Sequence, residues 1–172
     1  IDNYVNALKL GKELSVTQAD LMAVDYKMKR QFDLAIGAYN RLISAAPNNP
    51  IPHLMIAGIH LERNELKFAE DAFKKAEIKI ELTPTFETPY YYTLKARFFK
   101  QKKWMKSYGR TLDKAILKFN DNLVASQYLK AYFKQIKDSK RVALVSKNVE
   151  KLEKDQENAK QSFDDGDNKI RP

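Results

Sequence analysis

The feature that most constrains this chain is the stretch FDLAIGAYNRLISAAPNNP, residues 32–50. Phe32, Ala35, Tyr39, Leu42 and Ile43 recur at three- and four-residue spacings, which places them on one face of a helix. The run Pro47-Asn48-Asn49-Pro50 then breaks that helix. Starting 34 residues after Phe32, the row Leu66, Ala69, Phe73 and Ala76 repeats the pattern. Short side chains at Ala35 and Ala69 let helix axes approach closely. Further breaks fall at Thr83-Pro84 and at Asn120-Asp121-Asn122. No Asn-Gly hairpin signal and no long polar–apolar alternation argue for strands. The chain therefore reads as all-α, with antiparallel helix pairs stacked along one direction.

These rows resemble the tetratricopeptide repeat, a 34-residue unit of two helices, A and B. Phe32, Ala35, Tyr39, Leu42 and Pro47 stand at the family's helix B places, and Ala19, Met22, Ala23 and Tyr26 at those of helix A. Ala19 replaces the family's Trp and Ala23 its Gly. In the next unit His53, Ile56, Ala57 and His60 fill helix A, and Leu66, Ala69, Phe73 and Ala76 fill helix B. Pro84 comes late, so that helix B is expected to run an extra turn. A third unit has Tyr91, Leu94 and Phe98, then Tyr108, Leu112 and Ala115 in a helix beginning near Trp104, with one residue inserted. A weaker fourth unit has Leu129 and Phe133. The resemblance implies a right-handed solenoid of three to four repeats and a capping helix near 140–160. Its single domain spans 1–160, with repeats near 16–49, 50–83, 87–120 and 123–150. Residues 1–14 can form a helix using Tyr4, Val5, Leu8 and Leu14. Residues 161–172 (QSFDDGDNKIRP) lack an apolar row and are expected to be a flexible acidic tail.

Hydrophobic residues are 44% and charged residues 31%, a balance that suits a folded chain. The absence of cysteine excludes disulfides, thiol nucleophiles and Cys-ligated zinc within it. No apolar run is long enough for a membrane span. The chain begins at Ile1, so a processed product or fragment is expected, with any targeting segment removed and the compartment unknown. His53 and His60 stand seven apart, a rise of roughly 10.5 Å along a helix, too far for one metal ion. Their positions read as packing sites. Neither a Gly-rich phosphate loop nor a nucleophile elbow occurs. Glu70 and Asp71 fall on faces expected to be solvated. These readings point away from an enzyme, a metal or a cofactor.

The net charge of +9 is regional. Residues 1–90 hold 11 Lys/Arg and 12 Asp/Glu, residues 91–147 hold 15 and 3, and residues 148–172 hold 5 and 7. The segment RFFKQKKWMKSYGR, residues 97–110, interleaves cations with aromatics. Phe98 and Trp104 stand at repeat packing places, so they read as core. Lys106, Arg110, Lys114 and Lys118 recur every four residues as a separate stripe, continued by Lys130, Lys134, Lys137 and Arg141. A solvated face is one reading of that stripe. The others are docking of an acidic protein, contact with an anionic membrane surface and, less favoured, nucleic acid. A nucleic-acid site would mix aromatics with the cations on one face.

The resemblance also implies a concave groove lined by the second, fifth, ninth and twelfth places of each unit. These are Thr17, Asp20, Val24 and Lys27; Ile51, Leu54, Gly58 and Leu61; Pro89, Tyr92, Ala96 and Phe99; and Val124, Gln127, Ala131 and Lys134. The family's Lys/Asn/Arg carboxylate clamp is missing, with Asp20, Leu54 and Tyr92 at the fifth places and Val24, Gly58 and Ala96 at the ninth. The groove is thus expected to bind an apolar segment of a partner protein through Leu54, Leu61, Tyr92 and Phe99, with Gln127 and Lys134 at one end. The chain's own terminal helix or a second copy in a homo-oligomer are alternative occupants. The expected function is a non-enzymatic protein–protein interaction scaffold with a basic flank for acidic partners. The alternative is a basic module on an anionic surface, membrane lipid or nucleic acid.

Overall fold

The computed structural model describes residues 16–167, with side chains described over 20–159. The helix expected over 1–14 lies outside the described residues. Among those described, regular structure is entirely helical: α1 Val16–Met28, α2 Phe32–Ala45, α3 Ile51–Glu62, α4 Leu66–Leu82, a 3-10 turn Pro84–Phe86, α5 Pro89–Gln101, α6 Met105–Lys118, α7 Leu123–Gln135 and α8 Ser139–Asp167.

Four tight turns join these helices in pairs, and each is built the same way. Arg30, Asn64, Lys103 and Lys137 have positive φ values of 58–60°. The residue after each one sends its backbone N–H five residues back: Gln31 to Tyr26, Glu65 to His60 and Trp104 to Phe99 at 2.8 Å, and Asp138 to Phe133 at 2.9 Å. With the shorter bonds Arg30–Lys27, Asn64–Leu61, Lys103–Lys100 and Lys137–Lys134, these are Schellman caps. Arg30 and Asn64 are 34 positions apart, as are Lys103 and Lys137, whereas Asn64 and Lys103 are 39 apart. The excess lies in the 17-residue α4 and the 3-10 turn after it, where the late Pro84 promised extra helix.

The chain forms two compact units. One comprises residues up to Glu87 with Leu94–Tyr108, and the other Thr88–Thr93 with residues from Gly109 onward. In the first unit α1 packs on α2, α2 on α3 and α3 on α4. Its core includes Ala35, Tyr39, Leu42, Leu54, Ala57, Ile59, Ala69, Phe73, Ala76, Leu94 and Phe98. The alanines allow the close approach. Phe73 and Phe98 meet with ring centroids 5.3 Å apart. In the second unit α7 packs on α8. Its core holds Tyr91, Tyr92, Leu112, Ala115, Leu129, Phe133, Val145 and Val149. Asn122 caps α7 by accepting the Ala125 N–H at 2.9 Å. The buried Ser126 hydroxyl donates to the Phe119 carbonyl at 2.9 Å and accepts from the Asn148 amide at 3.1 Å. That amide also donates to the Asn120 carbonyl.

The last helix differs from expectation. It continues to Asp167 instead of ending near 160. Residues 150–160, EKLEKDQENAK, are mostly strong helix formers and suit the helix up to 160; nothing in the composition of 161–167, QSFDDGD, explains its continuation.

Candidate functional site

The residues expected to line an apolar groove are mostly core. Leu54, Leu61 and Tyr92 are 0%, 1% and 2% exposed. α5 covers Leu61, and the Gln101 amide donates to the Leu61 carbonyl at 3.1 Å. Tyr92 lies edge-on to Phe119 at 6.0 Å, with the Lys114 ammonium 5.6 Å above its ring. Phe99 is half-buried between Phe98 and Trp104. Gln127 and Lys134 are exposed, and the Gln127 amide donates to Glu153 at 3.0 Å. An apolar opening built on Leu54, Leu61 and Tyr92 is therefore replaced by packed interior.

Trp104, read as core, is half-exposed. It stacks on Phe99 at 6.0 Å and carries the Lys102 ammonium 4.6 Å from its ring. Lys102 also pairs with Glu70, whose carboxyl it holds below the usual range. The mixture of cations and rings in 97–110 is thus a set of cation–π contacts within the first unit.

The cations of the second unit are arranged differently. Arg110, Lys114, Lys118, Lys134 and Lys137 are exposed and Lys130 is half-buried; Lys106, at the start of α6 in the first unit, is exposed too. Arg141, expected in the same stripe, is instead an internal clasp. Its guanidinium reaches Asp113 at 2.8 Å, Asp138 at 2.6 Å and the Gly109 carbonyl at 3.4 Å. Burial alone would raise the Asp138 carboxyl, but the side-chain and backbone bonds from Arg141 outweigh it and hold it low. Burial likewise opposes the Arg141 charge, which its two carboxylates restore.

This clasp fixes α6 beside α8. Arg141 meets Gly109 and Asp113, and Asn148 meets Asn120, so the two helices run in the same direction. Between them lies a cleft of about 460 Å³ lined by Asp113, Lys140, Arg141, Ala143, Leu144 and Lys147. Arg110 and Leu117 continue the Asp113 face of α6 at three- and four-residue spacing. Leu117 and Leu144 are both exposed. Arg110, Lys140 and Lys147 form no ion pair among the described residues. The resulting surface offers two exposed apolar side chains and three cations that form no ion pair among the described residues.

No family profile and no curated protein matches the chain. Among solved structures, the crystal structure of MamA protein matches with a TM-score of 0.50 at 17% identity, over 80% of this chain and 73% of that one. The fold is a helical repeat. Among the described residues it is all-α, built of antiparallel helix pairs. Among the described residues no helix is long and apolar enough to cross a membrane. No cluster of three metal-ligating side chains occurs among them.

α8 supplies five of the six lining residues and α6 only Asp113, and sequence reasoning missed the cleft because it assigns the α8 segment to a capping helix. The alternation of Lys140, Leu144 and Lys147 at four- and three-residue spacing was the available signal.

Proposed function

We propose that this chain is a non-enzymatic protein-interaction scaffold, and that the α6–α8 cleft receives an acidic amphipathic segment of a partner protein. The carrying observation is the use of acids around Arg141. Asp113 and Asp138 are two of only three carboxylates in residues 91–147, and both are bound to that one guanidinium. Arg110, Lys140 and Lys147 form no ion pair among the described residues, and the exposed Leu117 and Leu144 stand on the same two helices. A one-sign surface of this kind speeds encounter with an oppositely charged partner, while the leucines supply contacts that persist in salt. A helix with leucines on one face and glutamates flanking them fits both features.

The test is fluorescence anisotropy with a labelled Glu/Leu amphipathic peptide, the wild-type chain and a Lys140→Glu/Lys147→Glu variant. Saturable binding that the variant loses supports the reading. Equal binding by both proteins contradicts it. In parallel, sedimentation with vesicles rich in phosphatidylserine and titration with single-stranded RNA should give weaker association. Tighter association with either would transfer the cleft to an anionic surface.

A further inference from the structure

The first unit contains a second cleft, made by α2 and α4 over α3. Each helix contributes a row at helical spacing: Ile36, Asn40 and Ile43; His53, Ile56 and His60; and Phe68, Asp71, Ala72 and Lys75. The cleft, open to solvent on one side, has a volume of about 360 Å³, inside the range of small-ligand sites. His53 is 7% exposed, and neither of its ring nitrogens has a hydrogen-bond partner among the described residues. His53 lines the cleft, so a ligand seated there would cover its ring nitrogens, and a polar ligand atom could then satisfy them. His60 is stacked on Phe68 with centroids 5.4 Å apart and interplanar angle 28°. Its Nδ1 donates to Glu65 Oε2 at 2.7 Å, so Nε2 is the ring nitrogen left for a ligand atom.

We infer that this cleft binds an aromatic ring bearing an N–H or O–H donor, of indole or phenol size. Ile36, Ile43, Ile56 and the exposed face of Phe68 hold the body of the ring. The imidazoles of His53 and His60 receive its polar edge. An aliphatic group would fill the space and leave both imidazoles unsatisfied, which is the basis of selectivity at such sites. The chemistry is shared by a partner's Trp or Tyr side chain and by a free small aromatic molecule. The inference is independent of the basic cleft, since every residue it uses lies in the first unit.

The chain has only two histidines, so their imidazole C–H resonances report directly on this site. The full chain is titrated with indole, 1-methylindole and N-acetyl-tryptophanamide. Indole should move both histidine signals, and 1-methylindole should bind about 10-fold more weakly or worse. Phe68→Ala, at a solvent-facing position, should keep the fold and weaken indole several-fold. Binding of N-acetyl-tryptophanamide as well as indole assigns the source to a partner side chain; indole alone assigns it to a free ring. Histidine signals unmoved by indole, or equal affinity for 1-methylindole, overturn the inference.

Discussion

The cleft between α2 and α4 and the cleft between α6 and α8 are built on the same plan but have opposite chemistry. In each, a Schellman-capped helix pair leaves parallel second helices flanking a trough. In the first unit carboxylates and cations are matched. Arg63 bridges Asp33 at 2.6 Å and Glu65 at 2.8 Å, and Lys95 meets Glu77 at 2.6 Å. The trough there is lined by aliphatic side chains, a phenyl ring and two imidazoles, with Asn40, Asp71 and Lys75 among them. In the second unit a single arginine engages two of the scarce acids, and lysines line the rim. One backbone scheme thus supplies a site for a flat polar ring in one place and for an acidic segment in the other. What differs is the identity of a few side chains, not the fold.

The strongest way to sharpen the comparison is to strike one fully buried leucine in each unit. Leu54 in α3 and Leu129 in α7 are almost fully buried. Truncating either to alanine should cost about 2–5 kcal/mol by chemical denaturation. If Leu54→Ala left stability unchanged while removing partner binding, Leu54 would be a groove residue after all.

Next in size is the arginine clasp. Arg141→Met should cost about 1–3 kcal/mol, because two carboxylates lose their partner. Arg63→Met, at an exposed pair, should change stability much less. Similar losses from both would show that the two clasps are alike.

Acid should separate the units by pH window. Burial, then Lys79 and Lys75, hold the His53 imidazole below its ordinary value. The unfolded chain therefore binds more protons as pH falls through about 6.5, and stability declines from there until it levels off below the folded value. Asp138 is also held low, so its contribution is present above the ordinary carboxylate range of about 3.9 and is lost only as pH falls through its folded value. Melting followed from pH 7.5 to pH 3.5 should show an early loss that His53→Phe removes. An early loss that survives this substitution would place its source elsewhere.

The smallest effect concerns the turns. Lys103 and Lys137 adopt left-handed backbone, which costs a residue with a Cβ about 1 kcal/mol. Lys103→Gly and Lys137→Gly should each raise stability by up to that amount, and Asn64→Gly by less, since Asn tolerates that region. A loss of stability on either lysine change would mean that the side chain itself holds the turn.

Much of the helical plan was legible because spacing of apolar residues reports one face directly. Phe32, Ala35, Tyr39 and Leu42 stood in such a row, and the structure buries all but Phe32 deeply. The turns were less legible. Left-handed backbone is usually announced by Gly, and here Arg, Asn and Lys occupy it. Exposure was least legible, since Leu54, Leu61 and Tyr92 have the same residue types whether a groove is open or packed. Arg141 read as one more cation of a stripe, because its partner Asp113 lies 28 residues away in sequence.

The central claim is that the acidic partner segment lands between α6 and α8. Amide chemical-shift mapping of the full chain with the Glu/Leu peptide tests it most directly. The account predicts the largest changes at Arg110, Leu117, Lys140, Leu144 and Lys147, fading when Lys140 and Lys147 are reversed to Glu. Changes centred instead on Leu21, Val24 and Met28, the exposed apolar side chains of α1, with that cleft silent, would contradict it.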